Sequence, residues 1–214
     1  MNEQSLQHIL LPKLEICTEL GLYFRNEDES NTCKYIYNNE LEFDNNVAVD
    51  FGTYFNTFSY GMWRKYTTMD KLYLRLQLQG EFIVQVYQME LVNNMVMRKT
   101  LESCQVDSTE RTVLDLELSA FDNKGQIGFV LTALKPGAFF YGGEYFTKLD
   151  KKVRLPRIAV DICTYHREEY VYRNFSNIQK YISLNTENIL KTQVDFYIVD
   201  NGQSLDVNRE ELSN

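Results

Sequence analysis

Polar side chains suited to hold a nucleotide follow two short apolar runs near the end of the chain. Thr164, Tyr165 and Arg167 come after the first run. Asp200 and Asn201 come after the second. Threonine and the amides that open a helix can hold an anion, and arginine offers phosphate oxygens a planar fork. Tyrosine offers a flat face to a base, and a carboxylate accepts hydrogen bonds from ribose or a base. These residue types predict a nucleotide site, or half of one.

The elements that position these side chains can be predicted from periodicity. The two apolar runs, Ile158 to Cys163 and Val194 to Val199, are rich in β-branched and aromatic residues and end at polar turns, as strands do. Between them, apolar residues recur every three or four positions from Val171 to Ile182, which indicates one face of a helix. Glu168 and Glu169 favour a helix start there. We therefore expect a right-handed βαβ unit with parallel strands, whose carboxyl ends carry the site.

The glycine pattern of dinucleotide folds is absent from this unit. No glycine directly follows the first predicted strand, and a phosphate-binding loop needs glycines at that point. NAD, FAD and a P-loop nucleotide are therefore poor candidates.

A family resemblance covers the same stretch. The pattern I-A-V-D-I-C-T-Y-H-R-E, followed by I-V-D-N-G-Q-S, resembles the opening of a family 2 glycosyltransferase with the GT-A fold. This resemblance implies that Thr164, Tyr165 and Arg167 line uridine diphosphate and that Asp200 binds the uracil or the ribose. The alternative is a βαβ unit of another α/β protein, in which Arg167 is a solvated charge at a helix start.

The residues before this unit read as short strands. Leucines alternate with polar residues from Lys71 to Gln79, Gly80 interrupts the run, and Phe82 to Tyr87 resumes it, which predicts a hairpin at the glycine. Further candidate strands are Thr112–Leu118, Ile127–Leu134, Leu14–Cys17, Leu22–Phe24, Tyr35–Tyr37, Leu41–Phe43 and Phe139–Phe146. No helix of useful length is expected among them. Many short strands separated by turns predict an antiparallel, jelly-roll-like β-sandwich.

The predicted fold class is therefore mainly β plus α/β. Residues 1–150 are expected to form the β-sandwich. Residues 151–214 are expected to form the first βαβ unit of a GT-A, Rossmann-like domain.

An aromatic stretch from Gly52 to Thr67 has two interpretations. Tyr60 and Trp63 could stack on a sugar and Arg64 could bind its hydroxyls, which makes them candidate sugar contacts. Alternatively the rings fill the sandwich core or a seam between domains. We favour the packing interpretation, because a sandwich needs aromatic filling whatever it binds.

The same stretch extends the resemblance. Y-F-N-x-F, then W-R-K-Y-T, the alternating strand and V-Q-V-Y resemble the N-terminal β-sandwich of galactofuranosyltransferases, which build galactan from UDP-galactofuranose. In those enzymes the β-domain precedes a GT-A domain, as it does here. The implied partners are a UDP-sugar donor and a glycan or lipid-linked glycan acceptor.

The resemblance also implies chemistry that these residues do not supply. A GT-A enzyme binds the donor diphosphate through a divalent metal, Mg or Mn, held by acids that would follow Asn214. Asp206 to Asn208 is a poor substitute, because it follows the second strand too closely. No residue qualifies as the base of an inverting transfer. The chain therefore reads as a truncated glycosyltransferase that is inactive alone, and the alternative is a non-catalytic carbohydrate-binding or assembly module.

Composition limits the remaining classes. The formal net charge is −8 and no basic stripe is present, which argues against nucleic acid as a partner. No run approaches the ~20 apolar residues of a membrane span, and the N-terminus does not resemble a signal peptide. We therefore expect a cytoplasmic protein, with peripheral association at the inner face of the membrane left open. An apolar sheet edge after Val199 favours self-association into a homo-oligomer.

Overall fold

The computed structural model describes residues 2–13, 17–27, 33–36, 40–120, 122–150, 157–184 and 194–212. The chain divides into two compact units, Met1–Lys151 and Lys152–Asn214. The first unit contains nine strands and one short helix among the described residues: β1 (Asn2–His8), β2 (Arg25–Asn26), β3 (Lys34–Ile36), β4 (Glu40–Phe43), β5 (Ala48–Asp50), α1 (Tyr60–Tyr66), β6 (Leu72–Val92), β7 (Met95–Leu118), β8 (Gln126–Ala133) and β9 (Ala138–Leu149).

Strand β6 is the centre of the first unit. On one side it pairs with β7 over its whole length, from Leu72 opposite Leu118 to Val92 opposite Met95. On the other side its first half pairs with β9 and its second half pairs with β8. All of these pairs are antiparallel, so the predicted antiparallel, mainly β architecture is confirmed.

Gly80 bends β6 and does not reverse it. The strand continues from Leu72 to Val92, so the predicted hairpin at Gly80 is wrong. Gly80 has φ of +104°, and the pairing register with β7 shifts between Leu78 and Gly80, which is a β-bulge. A Cβ atom at Gly80 would lie 2.7 Å from the Cβ of Ala138, so a side chain there would also clash.

The true reversal lies at Asn93 and Asn94. Val92 and Met95 are paired, which leaves a loop of two residues, and the two asparagines have φ of 51° and 62°. A two-residue hairpin whose loop residues both have positive φ matches the twist of its strands, and asparagine tolerates this conformation. β6 and β7 therefore form one long hairpin.

β8 and β9 pair with different parts of β6 and so form two branches of the sheet. The core lies between these two branches. The Tyr145 hydroxyl on β9 donates a hydrogen bond to the Ile127 carbonyl on β8 at 3.4 Å. The Phe140 ring on β9 lies 5.0 Å from that of Phe51 and 6.3 Å from that of Phe129 on β8, measured between centroids. The branches therefore face each other as the layers of a sandwich do. They belong to one hydrogen-bonded sheet, where the sequence predicted separate ones.

Some shorter predictions need correction. Residues 20–22 form a 3-10 turn and β2 begins at Arg25, so the strand predicted at Leu22–Phe24 is wrong. The helix α1 was not expected. The strand predicted at Leu14–Cys17 lies mostly on residues 14–16, which are outside the described residues. The strand predicted at Tyr35–Tyr37 ends at Tyr37, which is also outside them.

A buried polar network joins β5, β6 and β7. The Asp50 carboxylate is 3% exposed; it accepts hydrogen bonds from the Tyr87 hydroxyl at 2.5 Å and from Arg98 Nη2 at 2.7 Å. The Arg98 guanidinium also lies 4.6 Å from the centre of the Tyr87 ring. Burial, together with the hydrogen bond to Asp50, raises the pKa of Tyr87. The network therefore links β5 to β6 and β7 through side chains.

The second unit has strand–helix–strand order: β10 (Ile158–Thr164), α2 (Glu168–Leu184) and β11 (Val194–Asp200). The two strands pair in parallel. The Phe175 ring on α2 lies 4.7 Å from the Phe196 ring on β11, and Val171 and Tyr172 are buried on the same helix. Tyr197 and Val199 on the other face of the strand are exposed. Many α/β folds contain such a unit, so the GT-A assignment remains a proposal.

The aromatic core of the first unit should dominate its stability. Phe129 is fully buried and stacks on Phe51 at 4.7 Å, so Phe129→Ala should lower the free energy of unfolding by about 3–5 kcal/mol. Val113→Ala, at an exposed site on β7, should change it by less than about 0.5 kcal/mol. Urea unfolding followed by fluorescence of Trp63, the single tryptophan, measures both. Equal effects of the two substitutions would contradict the proposed core.

The network at Asp50 predicts a loss of stability in alkali. The pKa of Tyr87 is raised on folding, so its contribution is complete below the ordinary tyrosine value of about 10 and is lost as the pH rises above it. The urea midpoint should therefore fall between about pH 8 and about pH 10.5, and Tyr87→Phe should reduce that fall. Tyr54→Phe, at a ring 80% exposed, is the control and should leave it unchanged. A fall of the same size in Tyr87→Phe would show that this phenol is not responsible.

Candidate nucleotide-binding site

The carboxyl ends of β10 and β11 lie side by side. Thr164 is paired with Asp200 in the parallel register, and the Asn201 amide donates a hydrogen bond to the Thr164 carbonyl at 3.0 Å. The backbone therefore brings together three of the residues predicted for the site. Because this adjacency comes from sheet register, it does not depend on the side chains themselves.

Asp200 holds the loop that follows β11. Its Oδ1 accepts the Gly202 amide at 3.0 Å, and its Oδ2 accepts the amides of Ser204 at 2.6 Å and Leu205 at 2.8 Å. Hydrogen bonds from these backbone amides, that of Leu205 foremost, lower the pKa of Asp200. The Gln203 amide contributes as well, so the carboxylate is held ionised and most of its capacity to accept hydrogen bonds is used by the loop.

Thr164 carries a buried hydroxyl without a partner. The residue is 5% exposed, and its Oγ1 makes no hydrogen bond among the described residues. A buried polar group without a partner costs free energy, and in native structures it calls for an explanation such as a ligand. This hydroxyl is therefore a candidate contact for a polar molecule at the strand ends.

The loop after β10 is held close to the loop after β11. His166 has φ of 50°, a conformation that costs energy for a residue other than glycine, and its ring lies 4.3 Å from that of Tyr165. A Cβ atom at Gly202 would lie 3.1 Å from His166 Nδ1, so the small residue permits the approach. Tyr165 is 65% exposed, which leaves its ring accessible to a flat ligand.

Arg167 supplies the positive charge at this edge. Its guanidinium lies 5.9 Å from the centre of the Tyr170 ring, and no ion pair involves it among the described residues. Its backbone carbonyl accepts the Val171 amide at 3.3 Å, which places Arg167 at the start of α2. An exposed arginine beside the first turn of a helix is well placed for phosphate oxygens.

Glu168 takes a part in the site that the sequence did not predict. A hydrogen bond with the Ser204 side chain is the largest influence that lowers the pKa of Glu168. Glu168 therefore ties the start of α2 to the loop after Asp200. The sequence indicated only that an acid favours a helix start, and the contact with Ser204 depends on the folded loop.

The candidate sugar contacts are placed elsewhere, in the first unit. Tyr60 is buried, the Trp63 ring stacks on Phe58 at 5.9 Å, and Arg64 Nε donates to Asn123 Oδ1 at 3.1 Å. These contacts are those of packing residues, which is the interpretation that the sequence favoured. A sugar-binding role for the three remains a prediction.

The described residues contain no group of three or more His, Cys, Asp or Glu side chains arranged to hold a metal ion. The oxygens of Asp200 already accept three backbone amides. The residues in this part of the chain therefore do not by themselves fit a divalent metal. No helix in the described part of the chain is long and apolar enough to cross a membrane.

Two known galactofuranosyltransferases match part of the chain. Galactofuranosyltransferase GlfT2 of Mycolicibacterium smegmatis is 31% identical over 96 residues, which cover 43% of this chain and 14% of the relative. Galactofuranosyltransferase GlfT2 of Mycobacterium tuberculosis is 28% identical over 120 residues, covering 56% of this chain and 18% of the relative. The matches therefore span less than a fifth of either relative's length.

Among solved structures, two carbohydrate-binding proteins resemble the chain at low identity. The CBM22-1–GH10 modules of Clostridium thermocellum xylanase 10B are 10% identical with a TM-score of 0.41, covering 74% of this chain and 33% of that one. The family 29 carbohydrate-binding module CBM29_1 of Piromyces equi is 12% identical with a TM-score of 0.37, covering 61% and 85%.

The family assignment rests on a sequence profile. The profile described as galactofuranosyltransferase 2 N-terminal matches residues 6–142, which is more than half of the chain and lies within the first unit. The strand ends at Thr164 and Asp200 lie outside the matched residues. On this match, the chain belongs to the galactofuranosyltransferase 2 N-terminal family.

Proposed function

We propose that this chain is the N-terminal portion of an enzyme that transfers galactofuranose from a UDP-sugar to a glycan acceptor. Its second unit would be the beginning of a family 2, GT-A nucleotide-sugar-binding domain. The observation that carries the proposal is the pairing of Thr164 with Asp200, beside an unpartnered threonine hydroxyl and Arg167. The family match and the two GlfT2 relatives support the choice of galactofuranose.

The proposed roles follow from the geometry of each side chain. The Thr164 hydroxyl would bind a polar group of the nucleotide, and Arg167 would bind diphosphate oxygens. The exposed Tyr165 ring would stack on the uracil, and Asp200 would accept a hydrogen bond from the uracil or from a ribose hydroxyl. Asn201 lies beside them through its amide contact with Thr164 and would line the same pocket.

Catalysis needs groups beyond these. A divalent ion, Mg or Mn, would neutralise the diphosphate in the complete enzyme, and a carboxylate base would deprotonate the acceptor hydroxyl for an inverting attack. Neither group is assigned to a described residue here. We therefore expect the chain alone to bind the donor nucleotide without transferring sugar.

The proposed partners are a UDP-sugar donor and a glycan or lipid-linked glycan acceptor. We propose that the complete enzyme works in the cytoplasm at the inner face of the membrane, where a lipid-linked acceptor would be presented. Self-association through the apolar sheet edge after Val199 remains a prediction.

Nucleotide binding tests the proposal. UDP should bind with measurable heat in calorimetry, and Arg167→Ala should weaken binding about tenfold, because one charge-assisted contact to phosphate is lost. Arg157→Ala is a matched control: this exposed arginine lies at the other end of β10, where it pairs with Asp195 at 2.9 Å. Its loss should leave binding unchanged. Equal losses in the two variants, or tighter binding of ADP than of UDP, would contradict the proposed site.

Thr164→Val separates a ligand-binding hydroxyl from a structural one. The hydroxyl makes no hydrogen bond among the described residues, so its replacement by a methyl of similar size should leave thermal stability unchanged or raise it. UDP affinity should fall several-fold, because the nucleotide loses a hydrogen bond. Calorimetry with and without UDP measures both quantities. A clear fall in stability without nucleotide would assign the hydroxyl to the fold.

A further inference from the structure

A cavity of about 350 Å³ is lined by residues of the first unit alone. Its walls come from the end of β1 with the segment after it, and from the outward side chains of β6 and β9. We propose that this cavity binds a neutral glycan chain, and that in this family the chain is a galactofuranose oligomer. The choice of galactofuranose rests on the proposed function, whereas the choice of a neutral glycan rests on the cavity itself.

A glycine in β9 keeps the cavity open. Gly142 has φ of +101°, and a Cβ atom placed on it would meet nothing within 4 Å. The pairing of β6 with β9 shifts register between Leu76 and Leu78, opposite this glycine. Gly143 is different, because a Cβ atom there would lie 2.2 Å from the Arg75 carbonyl oxygen. One glycine therefore leaves space for a ligand and the next closes the wall behind it.

The charge in the cavity argues against an anionic ligand. Arg75 donates two hydrogen bonds to Asp115, both at 2.8 Å, and two to Glu3 at 2.9 and 3.2 Å. A further hydrogen bond reaches Glu144 at 3.4 Å. The guanidinium is thus bound by three carboxylates, and the hydrogen bonds to Asp115 and Glu3 raise its pKa. A phosphate would have to displace these partners to reach the guanidinium, and the other charged side chains of the wall, Lys13 and Glu144, are opposite in sign.

The remaining groups suit hydroxyls and an apolar sugar face. Glu144 lies in the cavity wall, and its Oε2 is 3.9 Å from Nδ1 of the exposed His8. The Gln77 amide oxygen accepts from Arg111, while its NH₂ group makes no hydrogen bond among the described residues. The Tyr141 ring lines the cavity, its hydroxyl donates to Gln79 at 2.6 Å, and the Arg111 guanidinium lies 4.4 Å from the ring centre, so the ring is fixed and one of its faces is covered. A fixed aromatic ring with a few acceptors and donors around it is the usual composition of a sugar site.

Titration of the 214-residue chain, followed by backbone amide NMR, tests the inference. The ligands are a galactofuranose hexasaccharide, cellohexaose as a neutral glycan of equal length, and UDP. The galactofuranose hexasaccharide should give saturable shifts at the amides of Tyr141, Gly142 and Gly143. UDP should shift amides near Thr164 and Asp200 and leave those three unchanged.

Variants locate the binding. Tyr141→Ala should weaken hexasaccharide binding about tenfold, because the sugar loses the ring on which it stacks. Tyr54→Ala, which removes an equally large and 80% exposed ring elsewhere in the unit, is the matched control and should bind as the unmodified chain does. Gln77→Leu should weaken binding several-fold and serves if Tyr141→Ala does not fold.

The outcomes are distinct. No saturable shift with the galactofuranose hexasaccharide, or unchanged affinity in both Tyr141→Ala and Gln77→Leu, overturns the inference. Equal affinity for cellohexaose overturns the galactofuranose assignment. UDP binding at Thr164 with no glycan binding at Tyr141 would leave the proposed function standing and remove only this inference. Glycan binding at Tyr141 without UDP binding at Thr164 would remove the proposed function and leave the inference that the cavity binds a neutral glycan.

Discussion

The first unit depends on the backbone pairing of β6, one side of which is shared between two other strands. Each buried backbone amide and carbonyl of this strand needs a partner, and on one side the partners come from two different strands, β9 and then β8. β9 and β8 can share one side of β6 only if they diverge from each other. They diverge at the bend of β6 at Gly80, which lies beside Ala138. The facing branches that result enclose the aromatic core. The register shift that leaves the cavity open occurs on the same side of the same strand.

Backbone pairing also governs the second unit, through parallel strands. The register that sets Thr164 beside Asp200 decides which side chains share the edge, and Asp200 then orders the following loop through backbone amides. Most of the carboxylate's hydrogen-bonding capacity therefore goes to the protein. The proposal of nucleotide binding therefore depends on the unpartnered hydroxyl of Thr164 and on the guanidinium of Arg167.

Much of this arrangement could be predicted from sequence because it follows from periodicity. The alternation from Leu72 to Leu78 identified both a strand and its buried face, and the residues after two apolar runs identified the candidate site. The hairpin predicted at Gly80 was wrong, because a glycine that breaks an alternating run is as typical of a turn as of a bulge. The helix α1 follows Ser59 and ends with Arg64 and Lys65, which are typical of helix termini, but its seven residues are too few to show a helical repeat of apolar positions.

Features that depend on contacts between residues far apart in the sequence could not be predicted. The free hydroxyl of Thr164 and the contact of Glu168 with Ser204 follow from the loop conformation and not from local residue types. The cavity is lined by residues as far apart as His8 and Glu144, which β1 brings together by pairing with β9. No rule of residue spacing relates side chains that lie so far apart in the sequence.

The long hairpin has a consequence for how the molecule meets other strands. Among the described residues β7 pairs with β6 alone, so one row of its amides and carbonyls faces outward for most of its 24 residues. Charged side chains recur from Arg98 to Glu117, and such charges discourage a foreign strand from docking there. Met95, Val96 and Met97, beside the turn, are uncharged and 63%, 63% and 55% exposed. Along β7, the tip of the hairpin is therefore the part least protected against the addition of another strand.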